Sequence, residues 1–312
     1  MGYRHVPCML KEVMASLACR PGMIVVDGTL GGSGHAKAIA AAIQPGGILV
    51  GIDRDPEAIR NAEIELAPWS ASILLFNDSF AHLPAVLEAA AIPKVDGILL
   101  DLGISRDQLE SGGRGFSFQK DDPLDMRMDP GSGETAAGIV NTFPERDLEL
   151  VFREYGEERF ARRIARAIVR ERQHTRITRS LHLAGIIAGA VPAGHRRRQS
   201  LHPATRVFMA LRIAVNRELV HLDRFLDSAV ECLKPGGRLC ILSFHSLEDR
   251  RVKHRFRELA AGCICPKSVP VCQCGKVPSV RLLTRRVARP TEAEVSANPL
   301  CRSTRLRAVE KR

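Results

Sequence analysis

Apolar positions along this chain follow two different periods, and the switch between them divides it into three stretches. Near-continuous apolar runs of strand length occur at "MIVVDG" (23–28), "ILVGID" (Ile48–Asp53), "ASILLF" (71–76) and "VDGILLDLG" (95–103). The first, second and fourth hold hardly any polar residue, as expected of parallel strands covered on both faces. Helical patterns separate them. One helix is predicted over 34–43. Another, "RDPEAIRNAEIEL", has Pro56 at an allowed early position and Ile59, Glu63 and Leu66 at helical spacing. The alternation predicts a doubly wound α/β sheet with ligands at the carboxyl ends of its strands.

The alternation stops after residue 110. "SGGRGFSFQKDDPLDMRMDPGSG" (111–133) is irregular and rich in Gly and Asp, while Phe116, Phe118, Leu124 and Met126 argue against disorder. From 144 to 211 only helices are expected. One of them, "EERFARRIARAIVRERQ", puts Phe160, Ile164 and Ile168 on one face. Arg159, Arg162, Arg163, Arg166 and Arg170 cover much of the rest. "GHRRRQ" reads as a basic loop. The α/β pattern then returns. A helix ends at the turn Pro235–Gly236–Gly237, "RLCILSF" is a fifth strand, and "SVRLLTRRVA" and "STRLRAVEKR" are two closing strands. Ser246 with Asp249 resembles a capping box before "LEDRRVKHRFREL". The expected organisation is a sheet domain in two parts, 1–110 and 213–312, around an inserted loop and helical domain, 111–212.

The chemistry starts at "VVDGTLGGSGHAKAI" (25–39), a strand, an acid, a glycine bend and a helix. Backbone N–H groups at such a turn hold nucleotide-type ligands. The dinucleotide spacing Gly-x-Gly-x-x-Gly fails in every register, and the phosphate-loop spacing lacks its second glycine and its hydroxyl. No nicotinamide cofactor is therefore expected. Asp27 at the strand tip suits S-adenosylmethionine, which carries no phosphate and whose amino acid end needs acceptors.

Composition narrows the setting. The chain has 312 residues, 45% of them hydrophobic, enough for a substantial core. No apolar run approaches the roughly 18 residues of a membrane span, and "MGYRHVPCML" has no apolar signal region. A cytoplasmic protein with no membrane partner is expected. The net charge of +11 favours an acidic partner, nucleic acid foremost, with arginine rather than the 4% aromatics making the contacts. The 9 cysteines are odd in number and do not form a disulfide framework. Cys8, Cys19, Cys232, Cys240 and Cys301 are expected to act as small hydrophobes. Cys263, Cys265, Cys272 and Cys274 form two Cys-x-Cys pairs that offer four thiolates. The usual zinc spacing is wider, so metal is left open.

"HVPCMLKEV", "DGTLGGSGHA", "GIDRDPEAI", "GILLDLGIS", "RGFSF", "PLDMRMD", "YGEERFARRIARAI", "HPATRVFMALRIAVN", "PGGRLCILSFHSLEDRRVK" and "NPLCRSTRLRA" together span almost the whole chain. This set resembles the bacterial small-subunit ribosomal RNA cytosine-N4 methyltransferases. The resemblance implies a Rossmann-like class I methyltransferase sheet with an inserted all-helical substrate-recognition domain. It also implies S-adenosylmethionine as cofactor, and methylation of the exocyclic N4 of cytidine 1402 in the decoding centre of 16S ribosomal RNA. The family's cofactor contacts fall on Ser33, Gly34, His35, Asp53, Phe80, Asp101 and Gln108. Many members have Gly where this chain has Ser33.

Each of these positions also has a reading of its own. Asp53 ends the second strand, where an acid holds ribose hydroxyls or caps the next helix. Phe80 lies against adenine or in the core, with Asp78 near enough to accept the adenine amine. Asp101 ends the fourth strand and is the candidate catalytic acceptor. The Asn/Asp-Pro-Pro-aromatic motif of other amino-methylating enzymes is replaced by Asp101-Leu102-Gly103-Ile104. Phe116 or Phe118 would then stack on the base, which must leave its helix to react. Asp125, His245, Arg196, Arg197 and Arg198 complete the candidate substrate residues. The competing readings are a methyltransferase of the same fold acting on another substrate, and a ribosome-assembly factor that binds RNA without catalysis.

Overall fold

The structure is a computed structural model and describes residues 7–105, 108–109, 113–131, 133–196, 202–263, 265–266 and 271–312. The chain forms two compact units, one of Met1–Gly103 with Val220–Arg312 and one of Ile104–Leu219.

The first unit is built on a seven-stranded sheet, β1 (Ile24–Asp27), β2 (Ile48–Asp53), β3 (Ile73–Asn77), β4 (Val95–Asp101), β5 (Leu233–Ser243), β6 (Val280–Leu282) and β7 (Arg305–Lys311), in the order β3-β2-β1-β4-β5-β7-β6. Strands β1 to β5 are parallel, and β7 runs antiparallel to both β5 and β6. This is the expected Rossmann-like class I methyltransferase sheet. The order reverses between β1 and β4, so their carboxyl ends open the crevice where α/β sheets bind ligands.

The apolar runs are continuous because successive side chains point to opposite faces and both faces are covered. Val26, Val50, Ile98, Leu100 and Ile241 pack on one side with Phe225, Leu226, Val252 and Phe256. Their neighbours Val25, Leu49, Leu99, Cys240 and Leu242 pack on the other with Val13, Leu17 and Ile39. Helix α2 (Gly34–Ala42) follows the glycine bend and α3 (Pro56–Glu65) follows β2. Two helices to which the apolar pattern assigned nothing, α1 (Leu10–Leu17) and α4 (Leu83–Ala89), complete the cover.

Three local expectations are corrected. The turn at Pro235–Gly237 does not separate helix from strand. The helix Glu218–Cys232 ends directly in β5, which pairs Val95 with Leu233 and then Gly97 with Arg238. Residues 234–237 therefore bulge from a strand already begun, with Gly236 in the left-handed region at φ 77°. The capping box before the helix Ser246–Ala260 lies one residue earlier than expected. His245 accepts from the Glu248 N–H, and Glu248 accepts from the backbone of His245 and Phe244. Lastly, Cys8 and Cys301 are joined in a disulfide, with Cα atoms 5.6 Å apart and a sequence separation of 293. They are not separate small hydrophobes.

The second unit is helical apart from the irregular segment 113–131. Its core joins Phe116, Leu124 and Met126 of that segment to Phe152, Ile164, Ile168, Ile187 and Leu211. Buried Asn216 pins the segment. Its Oδ1 accepts from Met128 N at 2.7 Å and its Nδ2 donates to Met126 O at 2.7 Å.

Candidate active site

The three acids expected at strand tips stand at the carboxyl ends of adjacent strands. Asp27 closes β1, Asp53 closes β2 and Asp101 closes β4. Thr29 links the first to the third. Its N–H donates to Asp27 Oδ1 at 3.1 Å, and its Oγ1 accepts from the Asp101 N–H at 2.6 Å. His35, in the first turn of α2, completes the cluster, with Nδ1 3.3 Å from Asp101 Oδ2. Its other nitrogen, Nε2, donates to the Cys8 carbonyl at 3.1 Å. A carbonyl only accepts, so Nε2 carries a proton, and an ionised Asp101 draws a second proton onto Nδ1.

Electrostatics follow from this packing. Burial pushes Asp27 up to about 7, against the pull of the His35 charge and the Thr29 N–H. Burial also lifts Asp53 to about 6, opposed by N–H donors from Gly31 and Asp55. For His35, burial favours the neutral ring, but the hydrogen bond and charge of Asp101 and the charge of Asp27 outweigh it, so its pKa is raised. Two buried carboxylate oxygens, Asp27 Oδ2 and Asp101 Oδ1, have no partner among the described residues. An unpaired buried oxygen is costly. A ligand carrying positive charge and N–H groups removes that cost.

The glycine bend is shaped for close approach. Ser33 sits at φ 60° and ψ 16°, in the left-handed region that favours glycine. A Cβ on Gly34 would lie 2.9 Å from Pro7 Cδ, so no side chain fits there. Asp53 has a second task that the sequence did not show. Its Oδ2 accepts from Gly31 N and its Oδ1 from Asp55 N, both at 2.9 Å, so it ties the bend to β2. The α3 cap is Asp55, which accepts from Glu57 N at 3.0 Å. Phe80 is half-buried and meets Phe225 edge-on at 5.6 Å, leaving part of its ring accessible. Asp78 accepts from the Ser79 N–H and pairs with His82 at 2.7 Å.

The remaining candidates, His245 excepted, belong to the helical unit. Gln108, in the helical unit, accepts from Ser105 N at 3.0 Å. Phe116 is a core residue there, 7% exposed, and Phe118 stacks on His202 at 4.6 Å. Asp125 is bound by the Arg127 guanidinium at 2.8 Å, which holds its carboxyl below the usual range although burial pulls the other way. His245 is the half-buried helix cap already described. Arg196 ends the short helix Ala193–Arg196, and Arg197 and Arg198 lie outside the described residues.

The MraW methylase profile matches residues 2–312. The chain belongs to the MraW methylase family. It is 53% identical over 309 residues to "Ribosomal RNA small subunit methyltransferase H" of Desulforapulum autotrophicum, covering 99% of each chain. It is 52% identical to the protein of the same name in Desulfosudis oleivorans, covering 100% of both. A solved structure of a putative rRNA-methylase from Clostridium thermocellum aligns with 99% of this chain and 100% of its own, at 13% identity and a TM-score of 0.45. As a member of this methylase family the protein uses S-adenosylmethionine, and the residues present fit that cofactor. Its sulfonium and amino groups are cationic, and the crevice at β1 and β4 offers acids with free acceptor oxygens. No helix among the described residues is long and apolar enough to cross a membrane.

Proposed function

We propose that the protein transfers the methyl group of S-adenosylmethionine to the exocyclic N4 of cytidine 1402 in 16S ribosomal RNA, in the cytoplasm. The observation that carries this reading is the Asp101 carboxylate. One of its oxygens is held beside His35, and the other is buried at the sheet's switch point with no partner among the described residues. Relatives about half identical to this chain are named as methylating small-subunit ribosomal RNA.

The cofactor, when bound, supplies an electrophilic methyl group on a positively charged sulfur. Asp27 would accept from its amino group, and Asp53, at the end of β2 beside the glycine bend, would accept from its ribose hydroxyls. Phe80, half-buried, would hold the adenine. Cytosine N4 is a weak nucleophile because its lone pair is delocalised into the ring. Asp101 Oδ1 accepts one of its N–H groups and draws the nitrogen out of that conjugation. As N4 gains the methyl group it sheds one proton, which Asp101 Oδ1 receives. His35 fixes the carboxylate by holding Oδ2, and the Asp101 N–H bond to Thr29 fixes the backbone beneath it. Such positioning of reacting groups is the protein's main contribution.

The helical unit supplies the grip on RNA. Arg159, Arg162, Arg163, Arg166 and Arg170 are all exposed on the helix Ala161–Arg172 or just before it. The test is mass mapping of methylated nucleosides in small-subunit RNA from cells with and without the protein, complemented by Asp101→Asn. Loss and wild-type-only restoration of N4-methylcytidine at 1402 is expected. An unchanged map, or loss of a different modification, overturns the assignment.

A further inference from the structure

The methyl-transfer site leaves one chemically distinctive cluster unused. Cys263, Cys265, Cys272 and Cys274 lie in the connection between the helix Ser246–Ala260 and β6. All four Sγ atoms lie within 4.8 Å of one another. None is in a disulfide. Cys274 Sγ lies 3.6 Å from Cys272 Sγ and 3.9 Å from Cys263 Sγ. Four thiolates around one zinc ion at about 2.3 Å stand about 3.8 Å apart at the corners of a tetrahedron. An iron–sulfur cluster spreads its thiolates over several metal atoms and needs wider separations, so the spacing fits a single ion.

Two further observations point to a charged sulfur cluster. The Cys265 N–H is directed at Cys263 Sγ and the Gln273 N–H at Cys265 Sγ, both at 3.4 Å. N–H donors aimed at sulfur stabilise thiolate and orient metal ligands. The connection also lacks other means of holding its shape. None of its described residues from 261 to 279 is buried, and Val271 and Val277 are 71% and 75% exposed. A segment this long without a core needs a covalent or metal staple to be ordered.

We propose that Cys263, Cys265, Cys272 and Cys274 form a tetrathiolate site for one zinc ion, which staples the connection leading into β6. Binding converts four thiols to thiolates and releases four protons, leaving the site with two net negative charges. The ion has no open coordination position, so its role is structural. It fixes the segment next to the junction where Ser279 N donates to Leu259 O at 2.9 Å and Lys276 Nζ donates to Glu258 O at 2.7 Å.

The test uses the full chain, purified under reducing conditions without chelator and dialysed against zinc. Elemental analysis should find about one zinc per chain, and Cys263→Ser with Cys272→Ser should lower it to below about one tenth, since each change removes a ligand of a closed site. As a readout independent of that variant's folding, cobalt is also exchanged into the wild-type protein. Intense sulfur-to-cobalt charge-transfer bands with a tetrahedral d–d pattern are expected, and chelation should raise hydrogen exchange across 261–279. Two outcomes overturn the proposal. One is wild-type protein that, after zinc dialysis, holds no metal and shows all four thiols reactive. The other is iron that zinc cannot displace.

Discussion

His35 Nδ1 lies 3.3 Å from Asp101 Oδ2, which joins the first turn after the glycine bend to the tip of β4. This contact holds the carboxylate with its other oxygen unpartnered among the described residues. Asp101→Asn keeps the shape but puts an N–H donor or a neutral oxygen in that place. Its kcat is expected to fall by about 10²–10⁴, the range for lost acid–base assistance, well beyond any loss of cofactor affinity. Single-turnover methyl transfer and cofactor titration separate the two effects, and equal losses in both would remove the catalytic role.

Asp53 joins the glycine bend to β2 and faces the cofactor's ribose in the proposed reading. Asp53→Ala should weaken S-adenosylmethionine by about 1.5–3 kcal/mol, the scale of hydrogen bonds to a charged group. Calorimetry on the folded variant measures this. Unchanged affinity would mean the carboxylate serves only the Gly31 and Asp55 N–H groups.

Asp27 gives a dependence on pH. Its folded value near 7 is above the unfolded 3.8, so the folded protein binds the extra proton. The associated stability is fully present below about 4 and is lost as pH rises towards 7. Asp53, raised to about 6, acts in the same direction. A cationic cofactor prefers the ionised acids, so its affinity should rise through the same window while the free protein loses stability. Asp27→Asn should flatten both trends, as thermal unfolding and cofactor titration from pH 5 to 8 would show.

Ser33 occupies a left-handed conformation that costs an L-residue about 1–2 kcal/mol. Glycine removes this strain but adds about 0.4–1 kcal/mol of unfolded-state entropy. Ser33→Gly should therefore leave stability within about 1 kcal/mol of the parent, whereas Ser33→Val, β-branched at φ 60°, should lose more. Denaturant unfolding of both variants checks the ordering.

Arginine on the helical unit should set the salt dependence of RNA binding. Arg162, Arg163 and Arg170 are exposed and make no ion pair among the described residues. Arg166 meets Glu145 at 3.5 Å in an exposed pair worth little. Replacing Arg162, Arg163 and Arg170 by Ala, or separately Arg196, Arg197 and Arg198, should reduce the log–log salt slope by about 0.7 per lost phosphate contact. Cofactor affinity should stay constant. A constant slope with weaker cofactor binding would assign these residues to folding instead.

The sequence by itself determined the seven strands, the glycine bend and the acids at Asp27, Asp53 and Asp101. These are local features. A strand buried on both faces must be apolar throughout, a tight bend must be small, and an acid placed after an apolar run falls at the strand's end. Tertiary structure decided which groups meet. His35 reaches Asp101 only because β1 and β4 are neighbours, although two strands separate them in sequence. Cys8 reaches Cys301 only after both ends of the chain pack on the same unit. His245 takes the cap expected of Ser246 because the strand ends one residue earlier than the pattern suggests, and Phe116 goes into a core shared with helices that follow it in the chain. The four cysteines were visible as two pairs, but periodicity says nothing of where a loop returns. Their convergence is a property of the folded chain alone.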